Sequence, residues 1–372
     1  MVIAINCRHL TPNKLEGFGT YTYELVTRWI KEHNEVNFVL IFDREPTVVI
    51  PELPNVKKVI IGPPTRHPLL YWIWFEWSIP RILKRYKATL FFSPDGYNSL
   101  RSRVPSVITV HDLNFEHNPA DLPKVLGWYL RKFVPKFVEK ATRVLTVSAY
   151  SKQDITKCYR CASEKISTVY NGANEIYQPL SEDVKITTRK RISNNRPYFL
   201  FVGSLHPRKN VQRLITAYQG INNPSVDLVI VGSAMWRDHQ ISVDPNGADR
   251  IHFLGYLAQK ELAEVMGSAL ALTYVPYFEG FGIPLVEAMR CGLPILAANT
   301  TCLPEIAGNA AIYCDPFNVQ EIQTGLEQLI ENDTLRIQLS ENSINRATEF
   351  SWDQAAKQSA RKLRKLINEH LK

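Results

Sequence analysis

Two carboxylates eight residues apart bracket the segment Glu279-Gly-Phe-Gly-Ile-Pro-Leu-Val-Glu287, and the residues between them suit an anionic ligand. Gly280 and Gly282 take positive φ at little cost and let a ligand approach the main chain closely. Pro284 fits the first turn of a helix, so residues 285–290 are expected as that helix, stopped by Gly292. A glycine loop ending at a helix N-terminus offers free N–H groups and the positive end of a dipole to a phosphate or diphosphate. Phe281, Gly282 and Ile283 are the candidate contacts there. On one continuous helix the two Glu would lie roughly 12 Å apart along the axis. The glycines and the proline break that helix, which puts Glu279 on the loop and Glu287 in the first turn, both able to face one ligand. Acceptor-only carboxylates suit neutral hydroxyls such as those of ribose and a hexose.

A second constellation is Val202-Gly-Ser-Leu-His-Pro-Arg-Lys-Asn210, a strand end leading into a helix that Asn210 is expected to cap. Gly203 and Ser204 begin its loop, and Arg208 and Lys209 are adjacent cations beside the helix start. To a diphosphate the guanidinium offers a bidentate fork and the ammonium a point charge. Cations fixed there would stabilise the negative charge on a departing nucleoside diphosphate. His111 ends the apolar strand Ser106-Val-Ile-Thr-Val110, at the strand end that faces the ligand side of an open α/β sheet. Asp112 either orients that ring or forms an Asx turn. Near the N-terminus, Leu15-Glu-Gly-Phe-Gly-Thr20 follows the first strand and precedes a helix expected from about Thr20. Gly17 and Gly19 there serve either a tight turn or main-chain approach to a phosphate. No Ser-His-Asp, H-E-x-x-H or D-x-D arrangement occurs, so no hydrolase triad or metal site is expected.

These segments resemble the retaining family 4 glycosyltransferases of the GT-B fold. The run Tyr274-Val-Pro-Tyr-Phe-Glu-Gly-Phe-Gly-Ile-Pro-Leu-Val-Glu-Ala-Met-Arg-Cys-Gly-Leu-Pro294 carries the family's E-x7-E motif. Asn299-Thr-Thr-Cys-Leu-Pro-Glu-Ile-Ala-Gly-Asn309, Cys314-Asp-Pro316, the Phe201–Asn210 segment, Val169-Tyr-Asn-Gly172, Val147-Ser-Ala-Tyr-Ser151 and Val110-His-Asp112 follow the family's order along the chain. The resemblance implies a nucleotide diphosphate sugar as donor, a glycan or lipid-linked acceptor, and no cofactor or metal. A donor phosphate oxygen would accept the acceptor's proton. Glu287 would hold the ribose, Arg208 and Lys209 the diphosphate, and Glu279 the sugar hydroxyls or the positive charge at the reacting carbon. His111 would contact the donor sugar; Gly17, Gly19, Gly203, Ser204, Tyr256, Phe281, Gly282 and Ile283 would complete the donor site. Glu16 stands where the family more often has a glycine. The pattern looks closest to bacterial mannosyltransferases of surface polysaccharide assembly, which suggests GDP-mannose, with UDP-sugars as the alternative. Two other classes compete: a glycoside hydrolase, which also needs two carboxylates but no diphosphate cradle, and a non-catalytic nucleotide-sugar-binding protein.

With 372 residues the chain is expected to form two domains. Short apolar runs alternate with helical patterns from end to end, which signals α/β with doubly wound parallel sheets. Strands are expected at 2–6, 36–42, 57–61, 89–92, 106–110, 143–147 and 166–169, then at 198–202, 227–231, 250–254, 270–275, 294–297 and 310–313. The division follows as an N-terminal Rossmann-like acceptor domain over 1–178, a polar, partly helical linker over 179–196 and a Rossmann-like donor domain over 197–350. The terminal helix over 351–372 crosses back onto the N-terminal domain in the resembled family, although its sequence equally allows a C-domain helix. Six Cys in a chain this long do not make a disulfide framework, and Cys158-x2-Cys161 is a lone pair unsuited to zinc. Without a leader-like start or a run of ~20 apolar residues, a cytoplasmic enzyme is expected.

The formal charge of +8 lies wholly in the first half, where residues 1–180 hold 24 Lys+Arg against 16 Asp+Glu. It is either a solvated basic face or an attraction to an anionic membrane or phosphorylated acceptor; no nucleic-acid partner is expected. The segment from His67 to Lys87 joins three Trp, two Tyr and a Phe to a basic end. It reads either as a buried helix or as an aromatic and basic surface dipping into the membrane interface.

Overall fold

Short runs that are apolar without alternation have no polar face to give to water, so they require cover on both sides; a parallel sheet flanked by helices supplies it. In the computed structural model, which describes residues 1–10, 15, 17–222, 225–233, 241–245 and 247–370, these runs become thirteen strands in two sheets. The first sheet contains β1 Val2–Asn6, β2 Asn37–Phe42, β3 Val56–Ile60, β4 Leu90–Ser93, β5 Ser106–Thr109, β6 Arg143–Thr146 and β7 Ile166–Thr168, in the order β3-β2-β1-β4-β5-β6-β7. The second contains β8 Tyr198–Val202, β9 Asp227–Val231, β10 Ile251–Gly255, β11 Ala271–Tyr274, β12 Ile295–Ala298 and β13 Ala311–Cys314, in the order β10-β9-β8-β11-β12-β13. Every pairing is parallel. The central strands β4, β5, β8, β9, β11 and β12 are buried along their whole length, whereas the edge strand β3 exposes Lys57 and Lys58, charges that discourage further pairing. Each sheet reverses its strand order once, between β1 and β4 and between β8 and β11. Ligands of open α/β sheets bind beyond the carboxyl ends at that point.

Two compact units result, Met1–Asn171 with Ser351–Lys372, and Gly172–Phe350. The polar segment expected as a connector forms the helix Glu182–Ser193 and belongs to the second unit. Arg189 Nε donates to Ser268 O at 2.8 Å and Arg191 lies 3.2 Å from Glu261, so long basic side chains dock a helix that has hardly any apolar stripe. The helix Trp352–His370 belongs to the first unit, packed on the helix Gly17–Glu32. Trp29 Nε1 donates to Ala356 O at 2.9 Å, Arg28 pairs with Asp353 at 2.5 Å, and Leu363, Leu366 and Ile367 are buried.

The aromatic segment divides between its two readings. Pro68–Ile73 is helical, Trp74–Ser78 is a widened π turn, and Ile79–Arg85 is helical again. Trp74 and Phe75 are fully buried, and Glu76 turns inward to accept from the main-chain N–H groups of Leu100 and Arg101. Trp72 and Trp77 remain 40 % exposed, with the Arg101 guanidinium 4.0 Å above the Trp77 ring.

The second sheet carries its tightest constraint just past β8 and β9. Gly232 has φ +149°, and a Cβ there would lie 1.8 Å from Gly203 O. Strain and overlap of this kind cost about 1–3 kcal/mol each. Gly232→Ala is therefore expected to lower the urea midpoint of the second unit, by at least about 2 kcal/mol in unfolding free energy; an unchanged midpoint would refute the close approach.

Candidate functional site

The carboxyl ends of β8 and β11 bring the expected cations and one carboxylate together. Past β8, Gly203 N donates to Val231 O at 3.0 Å, and the single turn Pro207–Lys209 is capped by His206, whose Nδ1 accepts from Arg208 N at 3.3 Å. Asn210 follows with φ 63°. Its side chain does not cap the next helix as expected; Nδ2 donates to Val275 O at 2.9 Å and to Pro316 O at 2.6 Å. The turn is thereby tied to the loop leaving β11, and Tyr277 N donates to Arg208 O at 3.0 Å to complete the tie.

Glu279 lies at the centre, 6 % exposed, with Lys209 Nζ against one carboxylate oxygen and Arg208 Nη1 3.4 Å from the other. Lys209 Nζ also donates to the Tyr274 hydroxyl at 2.7 Å, and that hydroxyl donates to Glu279. Burial alone would raise the Glu279 carboxyl; the charges of Arg208 and Lys209 outweigh it and hold the group below its ordinary value. Tyr274 ends β11 and had no role assigned from sequence, although it opens the very segment that carries the two Glu.

Gly282, at φ 86°, sits immediately before the helix Ile283–Arg290, with Pro284 in the first turn. This helix starts two residues earlier than expected, so Glu287 falls in its second turn rather than its first. Its environment is unlike that of Glu279. Burial pushes the Glu287 carboxyl up to about 7, and the Tyr177 hydroxyl, which donates to it, offsets only part of that. Phe281, expected at the ligand, is 4 % exposed and meets Phe350 edge-on at 5.8 Å, so its side chain serves the core. Ser204 and Ile283 are half-buried and Tyr256 is 48 % exposed.

In the first unit, the reversal between β1 and β4 gathers a buried polar network that sequence reading missed. Asp95 accepts from Asn6 Nδ2 at 3.0 Å and from Arg8 Nε at 2.6 Å, and His9 Nε2 lies 3.1 Å away. Burial would raise the Asp95 carboxyl, but Arg8 above all, helped by His9, holds it far below the carboxylate range. The Arg8 guanidinium stacks at 4.1 Å over Tyr97 and 5.0 Å over Tyr71. The signal in the sequence was a polar residue just past each of two strands, with nothing to show that the strands are neighbours.

Beside this network, Phe18 packs on His9 at 5.4 Å and on His111 at 4.8 Å. His111 Nε2 lies 2.7 Å from Pro94 O, a group that only accepts, so this nitrogen carries the proton and Nδ1 of the neutral ring is left as an acceptor. Burial lowers the ring's pKa and favours that neutral form. Asp112 accepts from Asn114 N at 3.0 Å and so takes the turn role. Gly17 and Gly19 lie inside the first turn of the helix Gly17–Glu32, which begins three residues earlier than expected. A Cβ on Gly19 would lie 2.9 Å from His9 O, so close packing requires that glycine; a Cβ on Gly17 would meet nothing within 4 Å among the described residues. Glu16 is outside the described residues.

Family models for glycosyl transferases group 1 and for glycosyltransferase family 4 match residues 184–346 and 15–175. The chain belongs to the group 1, family 4 glycosyltransferases. It is 27 % identical over 367 residues to O-antigen chain mannosyltransferase B of Escherichia coli, covering 93 % of this chain and 95 % of that protein. It is 29 % identical over 283 residues to O-antigen chain mannosyltransferase RfbU of Salmonella typhimurium, covering 74 % and 75 %. Among solved structures, Anabaena Alr3699/HepE in complex with UDP-glucose matches with a TM-score of 0.77 at 19 % identity, over 98 % of this chain and 100 % of that one. Sucrose-phosphate synthase of Thermosynechococcus elongatus matches with a TM-score of 0.79 at 17 % identity, over 99 % of each. The two parallel-sheet units are thus those of a GT-B glycosyltransferase.

Glu287 gives this enzyme a measurable pH signature. Between the ordinary value of 4.5 and about 7, the unfolded chain has released this proton while the folded chain retains it. The stabilisation is present below the lower value and lost as pH rises to the upper one. Glu287→Gln cannot ionise, so its stability is expected to gain on the parent's as the pH goes from about 5 to about 8. Urea midpoints that run parallel over that range would contradict it.

Proposed function

We propose that this glycosyltransferase is a retaining, metal-independent enzyme that moves mannose from GDP-mannose to a glycan or lipid-linked acceptor in surface polysaccharide biosynthesis. The observation that carries the reading is the Arg208–Lys209–Glu279 set at the start of a glycine-capped helix. Two cations held rigidly by the main chain suit a leaving diphosphate, because they need no reorganisation as its charge develops. The Glu279 carboxylate stays ionised beside them, suited to the sugar hydroxyls or to positive charge at the reacting carbon. Glu287, away from those cations and hydrogen-bonded to Tyr177, suits the ribose. Neutral His111, with Nδ1 as its acceptor nitrogen, suits a sugar hydroxyl, and a donor phosphate oxygen takes the acceptor's proton. The O-antigen mannosyltransferases that align along most of this chain favour mannose; the UDP-glucose complex of a structural neighbour keeps a UDP-sugar as the second reading.

Thermal shift with GDP- and UDP-sugars separates the two donors, since a ligand selective for the native state raises stability with concentration. On the preferred donor, Arg208→Ala and Lys209→Ala are each expected to lower turnover by about 10²-fold or more with the fold intact. Glu287→Gln should weaken calorimetric binding of the free nucleotide, whereas Glu279→Gln should spare it and reduce the sugar-dependent rate. Near-normal turnover in both cation variants, or equal nucleotide affinity in the two Gln variants, would reject the assignment.

We further propose a cytoplasmic enzyme that binds anionic lipid through its first unit. Among the described residues no helix is long and apolar enough to cross a membrane. Trp72 and Trp77 are outward-facing, and Arg81, Lys84, Arg85 and Lys87 are exposed beside them. Each such cation near an anionic surface contributes about 1 kcal/mol, screened within ~8 Å at physiological ionic strength. Sedimentation with anionic vesicles should therefore show binding that high salt releases. Salt-insensitive binding, or binding unchanged after the four cations become Gln, would overturn it.

A further inference from the structure

Cys158 and Cys161 look like a pair in the sequence, but the fold gives Cys158 different neighbours. The helix Ala149–Tyr159 ends at Arg160 with φ 49°, which turns the chain between the two cysteines, and the Cys161 thiol donates to Ala162 O at 3.8 Å. Cys158 instead shares a helix face with Asp154, one turn earlier. Opposite them, the short helix Asn114–His117 ends in His117, whose Nε2 lies 2.8 and 3.0 Å from the two Asp154 oxygens. Cys158 Sγ is 3.4 Å from Asp154 Oδ1 and 4.0 Å from His117 Nε2, and the three ligand atoms all lie within 4.8 Å of one another.

We propose that His117, Asp154 and Cys158 bind one zinc ion, with the fourth position open to water. Zinc bonds of about 2.0–2.1 Å to nitrogen or oxygen and about 2.3 Å to sulfur, set tetrahedrally, separate ligand atoms by roughly 3.3–3.6 Å. The three observed separations straddle that range, so an ion would seat on the buried side chain of Asp154 after shifts of about half an ångström, small for the exposed side chains of His117 and Cys158. A thiolate, an imidazole and a carboxylate together suit zinc rather than magnesium or calcium, which take oxygen ligands. Binding replaces the Cys158 S–H proton with the metal, and that proton leaves to solvent. The ion would also act on the fold, by clamping the helix that ends at His117 to the helix Ala149–Tyr159. The same helix already holds the other end of this corner, where Ser151 Oγ donates to His111 O at 3.0 Å. This inference does not rest on the donor or acceptor proposed above.

The test uses the full chain without an affinity tag. Calorimetry with Zn²⁺ is expected to give one ion per chain, and Co²⁺ in its place a thiolate-to-metal charge-transfer band in the near ultraviolet. Cys158→Ser should abolish the band and, like His117→Ala, weaken zinc at least tenfold. Cys161→Ser should leave both unchanged. Zinc should raise the thermal midpoint of the parent and not that of Cys158→Ser, whose position is exposed and leaves folding intact. Absence of stoichiometric zinc, affinity in Cys158→Ser within twofold of the parent, or a loss in Cys161→Ser as large as in Cys158→Ser would each overturn the proposal; the His117–Asp154 contact would then be an ordinary surface ion pair.

Discussion

Glu279 is a carboxylate almost sealed from water that nevertheless remains charged, because Arg208 and Lys209 lie against it. Taking such a charge out of water costs several kcal/mol unless partners with good geometry surround it. The second unit is arranged to supply that geometry. The two cations sit on one tight turn, His206 caps that turn, Asn210 ties it to the loop leaving β11, and Tyr274 bridges Lys209 to Glu279. The close backbone approach of Gly203 and Gly232 allows β8 and β9 to end where the turn requires. Positive charge is thereby fixed in place, and fixed charges can meet developing negative charge without first rearranging.

The first unit solves a similar problem with different cover. Asp95 and Arg8 form a buried ion pair where its sheet reverses, and the rings of Tyr71, Phe75 and Tyr97 wall the guanidinium in. That arrangement explains why half of the aromatic segment faces inward: its rings shield a cation as well as fill the core. Two rings lie at the margin of this network. His111 is neutral with a defined tautomer, and Phe18, 42 % exposed, packs on it. A buried pair thus stiffens the floor while a neutral imidazole and an aromatic ring stand above it.

The sequence by itself determined the architecture and pointed to three of the charged groups that meet in the second unit. Strand positions were legible because buried parallel strands are unbroken apolar runs, and in all thirteen strands neither end moved by more than one residue. Glu279, Arg208 and Lys209 were legible because glycines, a proline and charges at strand ends constrain one another locally. Where a residue's role depended on what lies across the fold, the sequence was silent or misleading. Phe281 entered the core, Asn210 bridged two loops instead of capping, and the helix over 182–193 joined the second unit because Arg189 found a carbonyl 79 residues away. The Asp95 network, the opposite pKa shifts of Glu279 and Glu287, and the meeting of Cys158 with His117 were decided only by tertiary structure. Burial and charge partners come from chain segments distant in sequence, and no local spacing encodes which strand ends or helix faces will adjoin.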